Sequence, residues 1–362
     1  MSLSKLVIHQ FRNINSASIT FNNNINIIVG ANGSGKTSLL EAIYFLGLGR
    51  SFRSHLTSRI VQHEHKEFTL FSEIVQDNLT TPIGLQKSKN GDTILKINSA
   101  ISKKLANLTQ YLPLQLITPE SSTLLSGSPK NRRAFLDWGV FYHDPHFYHN
   151  WVRIKRLLKQ RNAALKQCKT YNELQVWDNE LCILSDKISA QRSAYFDQLV
   201  VLIKTTLNDF LPDFDINCQF FCGWDKNNKS LADYLHDNFL RDSQLGYTTI
   251  GPQKADIRFK IAGYPVADVL SRGQLKLFVY ALQLAQGLFL NSIDKKQCIF
   301  LIDDFSSELD QNKQQILAKH IADSGAQLFI TVIEPDNIDK LFTQKNSVFH
   351  MEHGQITEQL EN

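Results

Sequence analysis

Long apolar runs are missing from this 362-residue chain. None approaches the roughly 18 residues of a membrane-crossing helix, so no helical span is expected. The first residues hold no apolar signal-peptide core. Residues 3–8 read as a short amphipathic strand, and a cytoplasmic location is the expectation. Cysteine is scarce and odd in number. The five, at positions 168, 182, 218, 222 and 298, argue against a disulfide framework. Cys218 and Cys222 have no second pair, which argues against a cysteine-built zinc site. Internal repeats and low-complexity tracts are absent, and neither sign of charge dominates. A formal charge of +4 and a pI near 8.6 permit nucleic-acid contact without requiring it. What is present is a globular composition, 43% hydrophobic and 20% charged. The length suits two domains, or one domain with a large insertion.

The stretch Gly30-Ala31-Asn32-Gly33-Ser34-Gly35-Lys36-Thr37 fits G-x-x-x-x-G-K-[ST]. Ahead of it the apolar run 25–29 reads as a buried parallel strand. Behind it Leu39, Leu40, Ile43 and Leu46 recur at helical spacing, so the glycines join a strand to a helix. Such a turn aims backbone N–H groups and a helix N-terminus at one point, where a phosphate chain fits. Glycine lets the backbone approach without a Cβ clash. Lys36 is expected on the β- and γ-phosphates and Thr37 on Mg²⁺, with Ser38 beside them. Arg12, a short loop away in Phe11-Arg12-Asn13, is a further candidate for the nucleotide. The chain is expected to bind a nucleoside triphosphate.

The fold expected around this loop is α/β, a mixed sheet with an inserted helical lobe. Residues 5–9 and 17–21 form a hairpin leading into the phosphate-loop strand. Segments 67–76, 82–89 and 93–97 alternate apolar and polar residues as antiparallel strands do, with Asn90-Gly91 as a hairpin turn. From about Lys103 the pattern turns helical, punctuated by Pro113, Pro119 and Pro129. Two amphipathic helices, 151–168 and 174–210, then make a short antiparallel arm. The first places Arg153, Lys155, Arg156, Lys159, Arg161 and Lys166 largely on its polar face. Strands return at 216–222 and 256–261, and a long helix opens at Leu270-Ser271-Arg272-Gly273-Gln274. Buried strands at 298–302 and 327–332 flank a helix at 311–322; residues 336–342 read as helical, and 347–358 as a closing hairpin through His353-Gly354. Residues 1–110 and 246–362 are therefore expected to form the nucleotide-binding lobe, with 111–245 inserted.

The run Ile299-Phe300-Leu301-Ile302-Asp303-Asp304 is a strand ending in two carboxylates. Beside a phosphate loop, Asp303 is expected to hold Mg²⁺ through water. Asp304 is expected to orient or deprotonate an attacking water. Ser271, Gly273 and Gln274 at a helix start offer a second phosphate-binding N-terminus. With Ser306-Ser307-Glu308-Leu309-Asp310 past the carboxylates, these segments resemble ABC-type ATPases. In that class the signature serine and its helix end complete the site of the opposite subunit. One loop and one signature per chain then imply a two-fold homodimer holding two ATP molecules. The stretch from Lys36 to Ser271 is too long for a transporter subunit and lacks the long coiled coil of SMC heads. A nuclease with an ATPase head would need a further carboxylate or histidine cluster, and none is evident.

Finer motifs narrow the class. They are Phe11-Arg12-Asn13; Gly47-Leu48-Gly49-Arg50-Ser51-Phe52-Arg53; Gly127-Ser128-Pro129 with Arg132, Arg133, Phe135, Leu136 and Asp137; Gly251-Pro252; and Asp303-Asp304 with Ser307-Glu308-Leu309-Asp310. Together they resemble the RecF family from end to end. The resemblance implies an ABC-type ATPase head like that of SMC proteins, and an ATP-dependent dimer that clamps DNA. It implies slow, DNA-stimulated hydrolysis, gapped or junction DNA as the partner, and RecR and RecO as companions that help load RecA in recombinational repair and SOS induction. Two residues depart from the pattern. Asp304 stands where ABC-type enzymes mostly carry glutamate, and Gln253 follows Gly251-Pro252 where family members commonly carry histidine, so that loop is assigned no catalytic role. Thr331 stands at the transporter switch-histidine position, where a hydroxyl cannot act as a cation but can hydrogen-bond the γ-phosphate. Arg50, Arg53, Arg132, Arg133, Arg153, Lys155, Arg156 and Lys159 are candidates for a phosphate-tracking, sequence-independent DNA surface. Each alone is equally well explained as a solvated side chain with a local ion pair.

Overall fold

Period-two alternation builds the first sheet of the structure, a computed structural model that describes all residues except 293, 295, 306–308, 335–340, 342–345 and 360–362. Ser306, Ser307 and Glu308, and most of the helix expected over 336–342, therefore lie outside the described residues. In this sheet β1 (Ser2–Phe11), β2 (Ile14–Thr20), β4 (Glu67–Gln76), β5 (Leu79–Ser88), β6 (Thr93–Ile97) and β7 (Ala100–Ile101) pair antiparallel in the order β2-β1-β4-β5-β6-β7. Phe68, Leu70, Ser72 and Ile74 of β4 point inward while their neighbours are half-exposed, as a sheet with one covered face requires.

The second sheet contains β3 (Ile25–Val29), β8 (Leu114–Ile117), β12 (Ile299–Ile302), β13 (Leu328–Val332), β14 (Asn346–Glu352) and β15 (Gln355–Gln359), in the order β15-β14-β3-β13-β12-β8. All neighbours run parallel except the β14–β15 hairpin. Every residue of β3, β12 and β13 is buried, which is why these runs are apolar rather than alternating. Between the sheets lies the helix Lys36–Leu48. Its Leu39, Leu40, Ile43, Phe45 and Leu46 join Leu6, Phe11, Phe68 and Phe329 in one core. Phe11, Phe45 and Phe68 meet edge to face with centroids 5.0–6.3 Å apart. The helix stops at Gly49, whose N–H bonds Phe45 C=O at a φ of 66°.

The segment after Lys103 corrects the helical expectation. Leu114–Ile117 is strand β8, paired parallel to β12 with Leu116 opposite Leu301. The four-residue segment Leu114-Gln115-Leu116-Ile117 between prolines is too short to show a period, and the partner strand almost two hundred positions away decides its state. Gln115 on β8 is buried, donating Nε2–H to Gln286 Oε1 at 2.9 Å.

Contacts divide the chain into two units, Met1–Ser121 with Tyr280–Asn362, and Ser122–Val279. Both divisions fall later than the boundaries read from the sequence, the first because β8 belongs to the sheet. The second unit holds helices Pro129–His143, Phe147–Ala164 and Gln175–Phe210 and the antiparallel sheet β11-β10-β9 of β9 (Ile216–Phe221), β10 (Asp256–Ile261) and β11 (Tyr264–Pro265). One arm residue is a correction. Arg161, assigned to the polar face, is fully buried, with Nε 2.5 Å from Asp178 and Nη1 3.2 Å from Asp242 and 2.9 Å from Thr248 Oγ1. Among the described residues no helix is long and apolar enough to cross a membrane.

Candidate functional site

The parallel register lines up the carboxyl ends of β3, β13 and β12, with Ile27 opposite Ile330 and Ile330 opposite Ile302. Ligands of such sheets bind beyond those ends. The glycine loop leaves β3 there, Asp303 and Asp304 leave β12, and Thr331 lies near the end of β13. They meet in one network. Thr37 Oγ1 donates to Asp303 Oδ1 at 3.2 Å, Thr331 Oγ1 donates to the same oxygen at 2.6 Å, and Asp304 N–H donates to Thr331 Oγ1 at 2.9 Å. Thr331 is fully buried. Its hydroxyl donates to Asp303 and accepts from Asp304 N–H, so it ties the two carboxylates together.

Lys36, only 4% exposed, donates Nζ–H to Gly30 C=O at 2.6 Å and Ala31 C=O at 3.0 Å. Burial lowers its pKa, and the charges of Asp304 and Asp303 oppose that shift. Burial raises the pKa of Asp303, against the hydrogen bonds from Thr331 and Thr37. The adjoining hydroxyl of Thr37 and carboxylate of Asp303 are the hard oxygen donors that Mg²⁺ takes. A carboxyl group raised in the fold favours folding fully below its unfolded pKa, and that contribution is lost as pH rises through the folded value. Asp303→Asn is therefore expected to raise the Tm of the nucleotide-free protein at pH 7.5. The gain should shrink as pH falls toward about 4, the ordinary carboxyl value. Thermal scans from pH 5 to 8 check it.

Loop residues Asn32, Gly33, Gly35 and Lys36 to Ser38 line an open cleft of about 610 Å³, together with Arg12, Asn13, Arg53 and Asp304. Asp304 has a φ of 55°, a left-handed conformation that aspartate tolerates better than most side chains. Gly30, Ala31 and Ser34 lie on the loop's other side, against His350 to His353. Two of the glycines answer to the chain's own packing. A Cβ on Gly30 would lie 2.3 Å from Met351 C=O, and one on Gly35 2.6 Å from Met351 Cε.

The sequence reading passed over Glu41. This carboxylate on the loop helix is wholly buried and accepts Nε–H and Nη2–H of Arg12 at 2.8 and 2.7 Å, and the hydroxyl of Ser51. Arg53 Nη1 lies 4.0 Å away. The available signal was a charge among Leu40, Ala42 and Ile43 on a buried helix face, with arginines in both flanking motifs. Arg12 also donates to Arg59 C=O at 2.6 Å, so it is fixed as a wall of the cleft with 17% of its side chain exposed. Arg53, a candidate for the DNA surface, lines this same cleft, with about half its side chain exposed. Arg50 is exposed beside Tyr44.

In the second unit Arg132 is also a correction. It pairs bidentately with Asp256 at 2.8 and 3.1 Å, and its Nη1 bonds the carbonyls of Leu124, Leu125 and Gly127. With a side chain 14% exposed, it holds the fold rather than a phosphate track. Arg133 is half-buried and bonds Ala255 C=O at 2.8 Å. Asp137 of the same motif binds Arg192 through both oxygens. On helix Phe147–Ala164, by contrast, Arg153, Lys155, Arg156 and Lys159 are exposed. Arg153 pairs with Glu180 at 2.6 Å, and Lys155 lies 3.7 Å over the Trp151 ring. Gln253 bonds the carbonyls of Thr248 and Ile250 through Nε2.

Ser271 and Gln274 cap the helix Arg272–Ser292 reciprocally: Gln274 N–H donates to Ser271 Oγ at 3.3 Å and Ser271 N–H to Gln274 Oε1 at 2.9 Å. Ser271 and Gly273 are exposed, and a Cβ on Gly273 would meet nothing within 4 Å.

The RecF/RecN/SMC N-terminal domain family matches residues 2–357. "DNA replication and repair protein RecF" of Psychromonas ingrahamii is 78% identical over 357 residues, covering 99% of each chain. Its namesake from Vibrio parahaemolyticus is 49% identical over 357 residues, covering 98% of this chain and 99% of its own. The fold is that of a solved structure described as the recombination mediator protein RecF with ATP in the RecFOR pathway, with a TM-score of 0.88 at 24% identity over 99% and 98% of the two chains. It is also that of an Smc head domain from Pyrococcus furiosus, with a TM-score of 0.62 at 15% identity over 99% and 96%. The motifs, the sheet that gathers them and a relative 78% identical across 99% of both chains agree: the chain belongs to the RecF family.

Proposed function

We propose that this protein is an ATP-gated DNA clamp for replication-linked and recombinational repair. ATP and Mg²⁺ occupy the cleft, with Lys36 and the loop N–H groups on the phosphates and Thr37 and Asp303 on the metal. Two chains then close on two nucleotides. The observation that carries the reading is the shared Asp303 oxygen, which joins the loop threonine to the two-carboxylate strand end through Thr37 and Thr331. Asp304 lines the cleft and is the group to position the attacking water. Its side chain is one methylene shorter than the glutamate usual in the class, which suits slow turnover used as a switch.

Gly273 supports the dimer. Neither its backbone nor any neighbour among the described residues asks for a glycine, and glycine in a helix is poorer than alanine by about 1 kcal/mol. Closure onto the phosphates of a second chain gives the missing side chain a reason. The exposed Arg153, Arg156 and Lys159 supply a sequence-independent contact to DNA, at gaps or junctions, and the family's RecR and RecO are the expected companions in loading RecA.

The deciding experiment is sedimentation and binding to duplex, single-stranded and gapped DNA, with and without ATP. Dimerisation and tighter DNA binding on ATP support the clamp; association indifferent to ATP overturns it. Reversing Arg153, Arg156 and Lys159 to glutamate is expected to weaken DNA binding at least about tenfold at low salt. The salt dependence should flatten by about 2–3, since each duplex phosphate contact contributes about 0.9 to the slope. Unchanged low-salt affinity removes this helix from the interface.

A further inference from the structure

Two hairpin tips hold the phosphate loop, and one of them, at Asn13, also lines the cleft. The β14–β15 hairpin closes through His353 and Gly354, at φ of 47° and 79°, with Glu352 opposite Gln355. Two left-handed residues between paired strands make a type I′ turn. Gly354 N–H donates to Ser34 C=O at 2.8 Å. Asn13, at the tip of the β1–β2 hairpin, donates Nδ2–H to the same oxygen at 3.2 Å. The pieces interlock closely: a Cβ on Gly354 would lie 2.1 Å from Asn13 C=O, and one on Gly35 2.8 Å from Asn13 Nδ2.

Ser34 C=O and Gly35 N–H belong to one planar trans peptide, so they point in opposite directions. Gly35 lines the cleft. Two donors that hold the Ser34 oxygen on the hairpin side therefore turn the Gly35 N–H toward the cleft. We infer that Asn13 and Gly354 are positioning residues for phosphate binding: together they set the plane of the 34–35 peptide, and with it the direction of an N–H that receives a phosphate oxygen. Asn13 lies in the first hairpin and Gly354 in the β14–β15 turn, so strands distant in the chain tune one backbone donor. The inference rests on the reading of the cleft as a nucleotide site.

The test titrates a fluorescent ATP analogue into full-length Asn13→Ala, Gly354→Ala and Lys36→Ala. Each is also scored for nucleotide-free Tm and for the Gly35 amide proton shift on adding ATP. Loss of one net hydrogen bond corresponds to about three- to tenfold weaker binding. That is expected for Asn13→Ala, with a larger loss for Gly354→Ala and a smaller Gly35 shift in both. Asn13 is exposed, so the nucleotide-free Tm of its variant should stay at the parent value. Affinity and Gly35 shift unchanged in both variants, with binding lost in Lys36→Ala, overturn the inference and leave the site intact. Normal ATP binding by Lys36→Ala overturns the site itself. Weaker binding with a lowered Tm in Asn13→Ala and a normal Gly35 shift reduces the contact to structural support and also overturns it.

Discussion

Replacing Ser271 by arginine is expected to leave ATP binding by a single chain intact and to abolish ATP-driven dimerisation. Ser271 is exposed, and its hydrogen bonds with Gln274 are those of an N-cap. Losing a cap destabilises by about 0.5–2 kcal/mol, which a folded domain of about 5–15 kcal/mol tolerates. In a dimer the same helix start would face the second chain's γ-phosphate. Hydrogen bonds to charged groups are worth about 1.5–3 kcal/mol each, so losing one weakens association about 10- to 100-fold. The bulk of arginine, placed where Gly273 leaves open space, adds to that. Sedimentation velocity with and without ATP, beside an ATP titration, reads both quantities. A variant that still dimerises on ATP removes Ser271 from the interface, and one that no longer binds ATP assigns it to its own chain's site.

The second large effect concerns stability. Arg161 is fully buried, held by both oxygens of Asp178 along its Nε–Nη2 edge and by Asp242 and Thr248 at Nη1. Burial alone would lower its pKa, but Asp178 and Asp242 reverse the direction. Asp178→Ala leaves a desolvated guanidinium short of its main partner, and breaking a buried pair in this way costs about 3–5 kcal/mol. A fall in Tm of about 10 °C or more is expected for a unit of this size. The double variant Arg161→Met, Asp178→Leu should recover only part of the loss, because apolar replacement of a buried pair is often neutral or better but Asp242 is then left buried without its guanidinium partner. Denaturant unfolding of the two singles and the double closes the cycle. Equal destabilisation of all three would mean that packing, not the uncompensated charge, sets the cost. The triad joins helices Phe147–Ala164 and Gln175–Phe210 to the segment carrying Asp242 and Thr248, so DNA binding through residues 153–159 should weaken along with stability.

The phosphate loop, its strand and its helix were legible in the sequence because their signal is local. Glycine, lysine and threonine sit at fixed spacing, and the apolar period changes within a dozen residues. Strands with one covered face, such as β4 and β6, announced themselves by alternation, and Gly49 marked the helix end. The family followed from short motifs strung along the chain. What each motif residue does was another matter. Phe11-Arg12-Asn13 and the Arg50 to Arg53 turn look like nucleotide or DNA contacts, yet Glu41 gathers Arg12, Ser51 and Arg53 around one buried carboxylate.

Tertiary structure alone decided the rest. β8 is a strand because β12 lies beside it; Thr331 serves Asp303 because β13 places it there; Arg132 is structural because Asp256 meets it. Arg161 matched its cationic neighbours in pattern and differed from them only in what packed over it. Local spacing dictates which backbone and side-chain groups a segment offers. Which of them are spent inside the protein, and which remain for a ligand, depends on partners brought from distant parts of the chain, because a buried polar group must find its partner wherever the fold supplies one.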